Sequence, residues 1–363
     1  MGRFLCFCVR RRGSDGVVLA EKKKFNYGGQ AVIEGVMMRG PKKFAVAVRR
    51  ANKEIVTTTE DVDSTLGRFK WLDKPFLRGT LALIDSMALG IKALKYSADI
   101  AMADAEEEAA AANAPGDNPG DEAAVSKPEA GADQQEPQQT SADQKPKKNS
   151  TINDLTIGIT MVLGIALGVG LFLLVPILIV RPLTESWASW QRAALEGGIK
   201  LALFLGYVLL ISLMKDIQRV FQYHGAEHKT INAYEAKVEL TVQNVIEYGK
   251  AHVRCGTTFL LVVLLTSIFV FMFVSWDSII QRFLYKIVLL PVIAGIAYEV
   301  IRFAGNCKES VITKILVFPG MLVQKITTRE PEPEMIEVAI RSLQCVLEQE
   351  ESPEDEMSSA AAK

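Results

Sequence analysis

The run Ile157-Gly-Ile-Thr-Met-Val-Leu-Gly-Ile-Ala-Leu-Gly-Val-Gly-Leu-Phe-Leu-Leu-Val-Pro-Ile-Leu-Ile-Val180 carries no charged side chain. As a helix it is long enough for a bilayer core, which takes roughly 20 residues. Gly197–Met214, Thr257–Ser275 and Phe283–Ile301 approach the same length. Lys200 sits at the edge of one of these, and Pro291 and Glu299 interrupt the last. Each run alone also suits a buried core helix. Four at close spacing, with Trp187 and Trp190 in one short connection, favour a membrane. The fold expected is an α-helical polytopic membrane protein of about four transmembrane helices, with a small α+β cytoplasmic domain.

Basic residues set the orientation. Lys145, Lys147 and Lys148 precede the first span, and Lys215, Arg219, Lys229, Lys237, Lys250 and Arg254 fill the connection between the second and third. Arg302, Lys308 and Lys314 follow the fourth, while the other two connections are shorter and poorer in cations. By the positive-inside rule both termini and the segment 215–256 are cytoplasmic. The net charge of -1 excludes nothing, because the acidic residues gather in a linker and the tail. Five irregularly spaced cysteines suggest no disulfide framework. The start is too short in apolar residues for a cleavable signal peptide.

Residues 1–24 read as a variable extension, with Cys6 and Cys8 incidental to it. Residues 25–103 read as a small antiparallel sheet (Gln30–Met38, Phe44–Arg50 and Glu54–Thr59) and an amphipathic helix, Leu77–Ile100, lying on the membrane or on the later helices. Residues 104–150 are Ala, Pro, Asp, Gln and Glu with hardly any large apolar side chain, the composition of a disordered linker. The four-helix membrane domain occupies 151–318. In 319–349, Pro319-Gly320 breaks the chain, Leu322–Thr328 forms a strand joining the amino-terminal sheet, and Glu334–Glu348 forms an amphipathic helix. Residues 350–363 form an acidic, disordered tail.

All three histidines fall in the polar segment between the second and third runs, as His224-Gly-Ala-Glu227-His228 and His252-Val-Arg-Cys255. On a helix His224 and His228 share a face and Glu227 lies beside them. The order H-x-x-E-H supplies two imidazole ligands and a carboxylate base in one class of zinc hydrolases. His252 or Cys255 would close the site, with Glu235 or Glu299 as carboxylate alternatives. Arg302, one turn after Glu299, is its natural ion-pair partner. If all of His224, His228, His252 and Cys255 bind zinc, the site is closed and staples the cytoplasmic segment to the bundle. If three bind, a place remains for water, with Glu227 as general base. A hydrogen-bonded polar cluster without metal is the plainer alternative.

Several segments together resemble the YqhQ family of bacterial membrane proteins. They are Gly28-Gly-Gln-Ala-Val-Ile-Glu-Gly-Val-Met-Met-Arg-Gly40, Phe76-Leu-Arg-Gly-Thr80, Arg219-Val-Phe-Gln-Tyr-His-Gly-Ala-Glu-His-Lys229, His252-Val-Arg-Cys-Gly-Thr257, Leu290-Pro-Val-Ile-Ala-Gly-Ile-Ala-Tyr-Glu299 and Thr327-Thr-Arg-Glu-Pro331. The family's more usual form of the fourth segment has proline where Val253 stands, which leaves the possible ligands in place. The resemblance implies a domain of unknown function, labelled a predicted metal-dependent enzyme, in the bacterial cytoplasmic membrane. It brings no reaction.

The glycine-rich segment 28–40 lacks G-x-G-x-x-G spacing and a P-loop lysine, so nucleotide is not expected. Its Glu34 and Arg39, with Arg78, would pack a polar cluster against the histidine segment. Nucleic acid is not expected either, since no basic face interleaves aromatics. Two readings stand beside each other. One is a non-catalytic membrane scaffold, or a factor associated with protein biogenesis or another membrane complex, with a cytoplasmic-face metal site. The other is a zinc-dependent membrane hydrolase with Glu227 as base. Transport, resting on Glu299 alone, is a weaker third.

Overall fold

The computed structural model describes residues 27–62, 74, 77–112, 151–184, 186–275, 278–306 and 311–350. Its amino-terminal part is a four-stranded antiparallel meander, β1 (Gly28–Val32), β2 (Gly35–Arg39), β3 (Lys43–Arg49) and β4 (Ile55–Asp61), in that spatial order. The single strand expected over Gln30–Met38 is therefore two. The chain reverses at Ile33-Glu34, with Val32 opposite Gly35. Glu34 takes a φ of 50° there, the left-handed conformation that two-residue hairpin loops favour. A Cβ at Gly35 would lie 2.3 Å from the Ala47 carbonyl oxygen, so glycine lets β3 close on the turn.

The described helices are α1 (Leu77–Ala112), α2 (Thr151–Val169), α3 (Val175–Leu183), α4 (Ser189–Ile211), α5 (Lys215–Glu235), α6 (Val242–Ile246), α7 (Gly256–Met272), α8 (Ile279–Asn306), α9 (Val311–Thr327) and α10 (Pro333–Glu350). One wide turn, Gly170–Leu174, joins α2 to α3. Strand side chains alternate between faces, and both faces of this sheet are used. Val36, Met38, Ala45 and Ala47 meet Tyr223 and Ala226 of α5 and Met335, Ile336 and Leu343 of α10. Met37, Phe44, Val46 and Val48 meet Leu89 and Ala93 of α1. The amphipathic carboxyl-terminal helix thus has its apolar face filled by the sheet.

Among the described residues, three helices are long and apolar enough to cross a membrane: Val162–Leu183, Ser189–Ile211 and Ile280–Gly305. The third expected span is the shorter apolar helix α7, of 17 residues. Two cations of α8, Arg282 and Lys286, close on Glu196 of α4, and all three are almost fully buried.

Helix α1 rests on the later helices, while Ile84, Met87, Ile91 and Leu94 stay exposed. A Cβ at Gly79 would lie 2.6 Å from Tyr298 of α8, and the Thr80 hydroxyl donates to the Pro291 carbonyl at 2.8 Å. Arg78 grips Glu299 through two hydrogen bonds of 2.7 Å. The expected partner of Glu299, Arg302 on its own helix, is replaced by one from α1.

Three boundaries need correction. Leu322–Thr328 is no strand: residues through Thr327 continue α9, whose interior holds both Pro319 and Gly320. Gly320 marks a close helix crossing instead of a break, since a Cβ there would lie 2.5 Å from Thr258 of α7. Residues 104–112, assigned to the linker, are helical instead: the alanine- and glutamate-rich run to Ala112 completes α1, as strong helix formers do. Asp104 is fixed by Arg50 at 2.7 Å and by the Ala51 N–H at 2.8 Å. Glu350, assigned to the tail, is the last residue of α10 and accepts from Tyr27 at 2.8 Å. The rest of that linker, the extension 1–24 with Cys6 and Cys8, and residues 351–363 lie outside the described residues.

Candidate metal centre

Helix α5 carries His224 and His228 on one face, with ring centroids 4.4 Å apart. Cys255, the N-cap of α7, faces them: its Sγ lies 3.2 Å from His224 Nε2. One ligand atom from each of His224, His228 and Cys255 lies within 4.8 Å of the others. His228 and Cys255 are buried and His224 is half-buried.

The other ring nitrogens decide what these imidazoles can do. His224 Nδ1 lies 2.9 Å from the Thr327 carbonyl, and His228 Nδ1 lies 2.8 Å from the Lys250 carbonyl. A carbonyl only accepts, so each Nδ1 must carry the proton. In the neutral rings each Nε2 therefore keeps its lone pair on the side of Cys255. Anchoring of the non-ligating nitrogen on a backbone carbonyl is the outer-shell arrangement of metal-bound histidine.

Local sequence explains how those carbonyls arrive. A Cβ at Gly225 would lie 2.1 Å from the Arg329 carbonyl oxygen. Glycine at this place lets the segment after α9 cross α5 closely, and the Arg329 N–H donates to the Phe221 carbonyl at 2.9 Å. Thr327 is thereby delivered to His224. On the far side α5 captures the 246–251 loop through its carbonyls. Lys229 donates to Ile246, and Asn232 donates to Gly249 and Ala251, at 2.8, 2.7 and 3.1 Å.

Gln324 is a positioning residue that sequence reading missed. Its buried amide accepts from the His252 N–H at 2.9 Å and donates to the His252 carbonyl at 2.8 Å. A further hydrogen bond of 2.6 Å goes to Thr258. Gln324 thus fixes the turn that leads into Cys255. No local motif marks it, because its partners lie far away in sequence.

The remaining expected residues divide. Glu227 is buried, with its Oε2 3.4 Å from His228 Nε2. Burial pushes the His228 pKa down, but the Glu227 charge and the Cys255 thiol outweigh it and raise it above its ordinary value. His252 stands beside the three, its ring centroid 5.7 Å from that of His228 and its Nε2 3.9 Å from Glu235. Glu235, held by Arg254, stands by His252, and Glu299 is held by Arg78; neither carboxylate joins the group of His224, His228 and Cys255. The expected Glu34–Arg39–Arg78 cluster is dispersed. Glu34 alone reaches the histidine helix, taking Arg219 through two hydrogen bonds of 2.6 Å and the Tyr223 hydroxyl at 3.2 Å.

These donors fit a metal ion. Two imidazole nitrogens and one thiol sulfur converge from two separate elements, and zinc accepts such a set.

A family described as "Protein of unknown function (DUF1385)" matches residues 74–349. The chain is 33% identical over 338 residues to "Uncharacterized protein YqhQ" of Bacillus subtilis (strain 168), covering 90% of this chain and 96% of that protein. No solved structure matches significantly. Neither description carries a reaction, and the label of metal-dependent enzyme draws no support from them.

Proposed function

We propose, for a chain that belongs to the family described as a protein of unknown function (DUF1385), a non-catalytic membrane scaffold with a structural metal clasp. His224, His228 and Cys255 hold the ion, zinc, and tie the sheet-packed helix α5 to the start of α7. The observation that carries this reading is the aim of both rings. Each Nδ1 donates to a backbone carbonyl, so both Nε2 atoms and Cys255 Sγ are left to converge. When bound, the ion supplies a cross-link between elements distant in sequence. Burial of His228, Cys255 and Glu227 supports structure over chemistry, because structural zinc sites are closed and catalytic ones keep a position open. Closure of the fourth position by His252 belongs to the same proposal.

The finer placement is also proposed. Four spans, with Gly256–Met272 as the short one, put the histidine side and both termini in the cytoplasm of a bacterial inner membrane. The cations Lys215, Arg219, Lys229, Lys250 and Arg254 on that side support the orientation. The partner is a membrane complex, with protein biogenesis as one setting.

One observation favours the hydrolase as a second reading: the Glu227 carboxylate stands at His228 Nε2, where a base would be needed. Complementation of a deletion strain separates the two. Glu227→Gln keeps size and a hydrogen-bonding oxygen but removes the basicity. The scaffold predicts near-full rescue by Glu227→Gln and failure of His224→Ala. The hydrolase predicts failure of both.

A further inference from the structure

Behind the histidine-anchoring carbonyls lies a cavity of about 470 Å3, lined by Ser212, Gln222, Lys250, Lys325, Thr328, Arg329 and their neighbours Ile326 and Glu330. Its size is that of a small-ligand site. Three cations and one carboxylate line it. Glu330 is already engaged, by Lys229 at 2.7 Å and by Lys250 at 3.4 Å. Arg329 uses one nitrogen on the Ser212 carbonyl at 2.9 Å, and its fork geometry keeps other N–H groups for an oxyanion. The hydroxyls of Ser212 and Thr328 donate back into their own helices, to Leu209 and Gln324. The lining therefore offers an incoming group cationic donors and little else that is charged.

Its place in the fold names the source of that group. Ser212 follows directly on the candidate span Ser189–Ile211. Leu213 and Met214 beside it are 72% and 55% exposed, and Leu322, one turn before Lys325 and Ile326, is 43% exposed. A basic recess bordered by exposed apolar residues at the end of a candidate membrane span suits an acidic lipid headgroup.

We propose that this cavity binds the phosphate of an anionic phospholipid in the leaflet on the histidine side. Lys325, Lys250 and Arg329 hold the phosphate, and the acyl chains leave past Leu213, Met214 and Leu322. The assignment is independent of the metal and goes beyond the scaffold reading.

Native mass spectrometry of the full chain in mild detergent tests it, with phosphatidylglycerol, phosphatidylcholine or inorganic phosphate added separately. Wild type should retain phosphatidylglycerol in preference to phosphatidylcholine. Lys325→Glu, at an exposed position that should fold normally, should lower that retention about fivefold or more, as expected for cations near an acidic lipid surface. Lys215→Glu reverses a charge at the same end of the bundle but outside the cavity, and should leave retention nearly unchanged. Equal retention of the two lipids would overturn the proposal, as would an equal effect of Lys215→Glu, which would mean diffuse attraction. Displacement of phosphatidylglycerol by millimolar inorganic phosphate would assign the cavity to a soluble anion and overturn the lipid source.

Discussion

Gly225 packs so closely on Arg329 that a Cβ at position 225 would lie 2.1 Å from the Arg329 carbonyl oxygen. The contact is with backbone, which cannot rotate away. Gly225→Ala should therefore push the 327–331 segment outward, costing about 1–3 kcal/mol as overpacking does. Thr327 would draw back from His224 Nδ1 as well. Thermal denaturation in detergent should show a lower midpoint, and metal content should fall with it.

Gln324 makes a separate prediction. Replacing it with leucine strips the His252 N–H and carbonyl of their partners in a buried place, at about 1–3 kcal/mol for an unsatisfied group. The protein should fold and bind metal more weakly, as measured by competition with a chromophoric chelator. Unchanged affinity would mean that the turn into Cys255 holds its shape without the clamp.

Glu196 pairs with both Arg282 and Lys286 between α4 and α8. Removing only the anion leaves two buried cations, so Glu196→Gln should cost about 3–5 kcal/mol. Replacing all three residues with leucine or methionine should restore most of that stability. Unfolding in bicelles would measure both variants. A triple variant no better than the single one would mean that the charges do more than pair.

Acid should release the metal. Ligation needs neutral imidazoles and a thiolate. His228 has a pKa raised above its ordinary value. Its neutral form is complete only above that raised value and is lost as pH falls through it. Metal retention across a pH series should fall on the acid side, and Glu227→Gln, which removes the charge that raises the His228 pKa, should move the fall to lower pH.

The sequence exposes some of this plainly. The four-residue spacing of His224 and His228 puts both on one face of any helix, and the structure keeps them there. Cys255 and His252 are three apart at a turn, and only the turn's direction decides that Cys255 is the one grouped with both His224 and His228; local pattern does not encode it. Thr327 and Gln324 act through contacts made in the folded chain, so no spacing announces them. Pro319-Gly320 reads as a break because those residues usually end helices. Here Gly320 serves a crossing with Thr258, which depends on a neighbour 62 positions earlier in the chain. Glu34 hides a hairpin because its positive φ is enforced by pairing across Val32 and Gly35.

Metal content tests the central claim most directly. Protein purified in mild detergent, folded by thermal melt, should carry about one zinc-like ion per chain, with X-ray absorption showing both nitrogen and sulfur neighbours as in mixed His/Cys sites. His228→Ala and Cys255→Ser should each lose most of it. Folded wild-type protein that contains no metal, before and after zinc addition, would contradict the account.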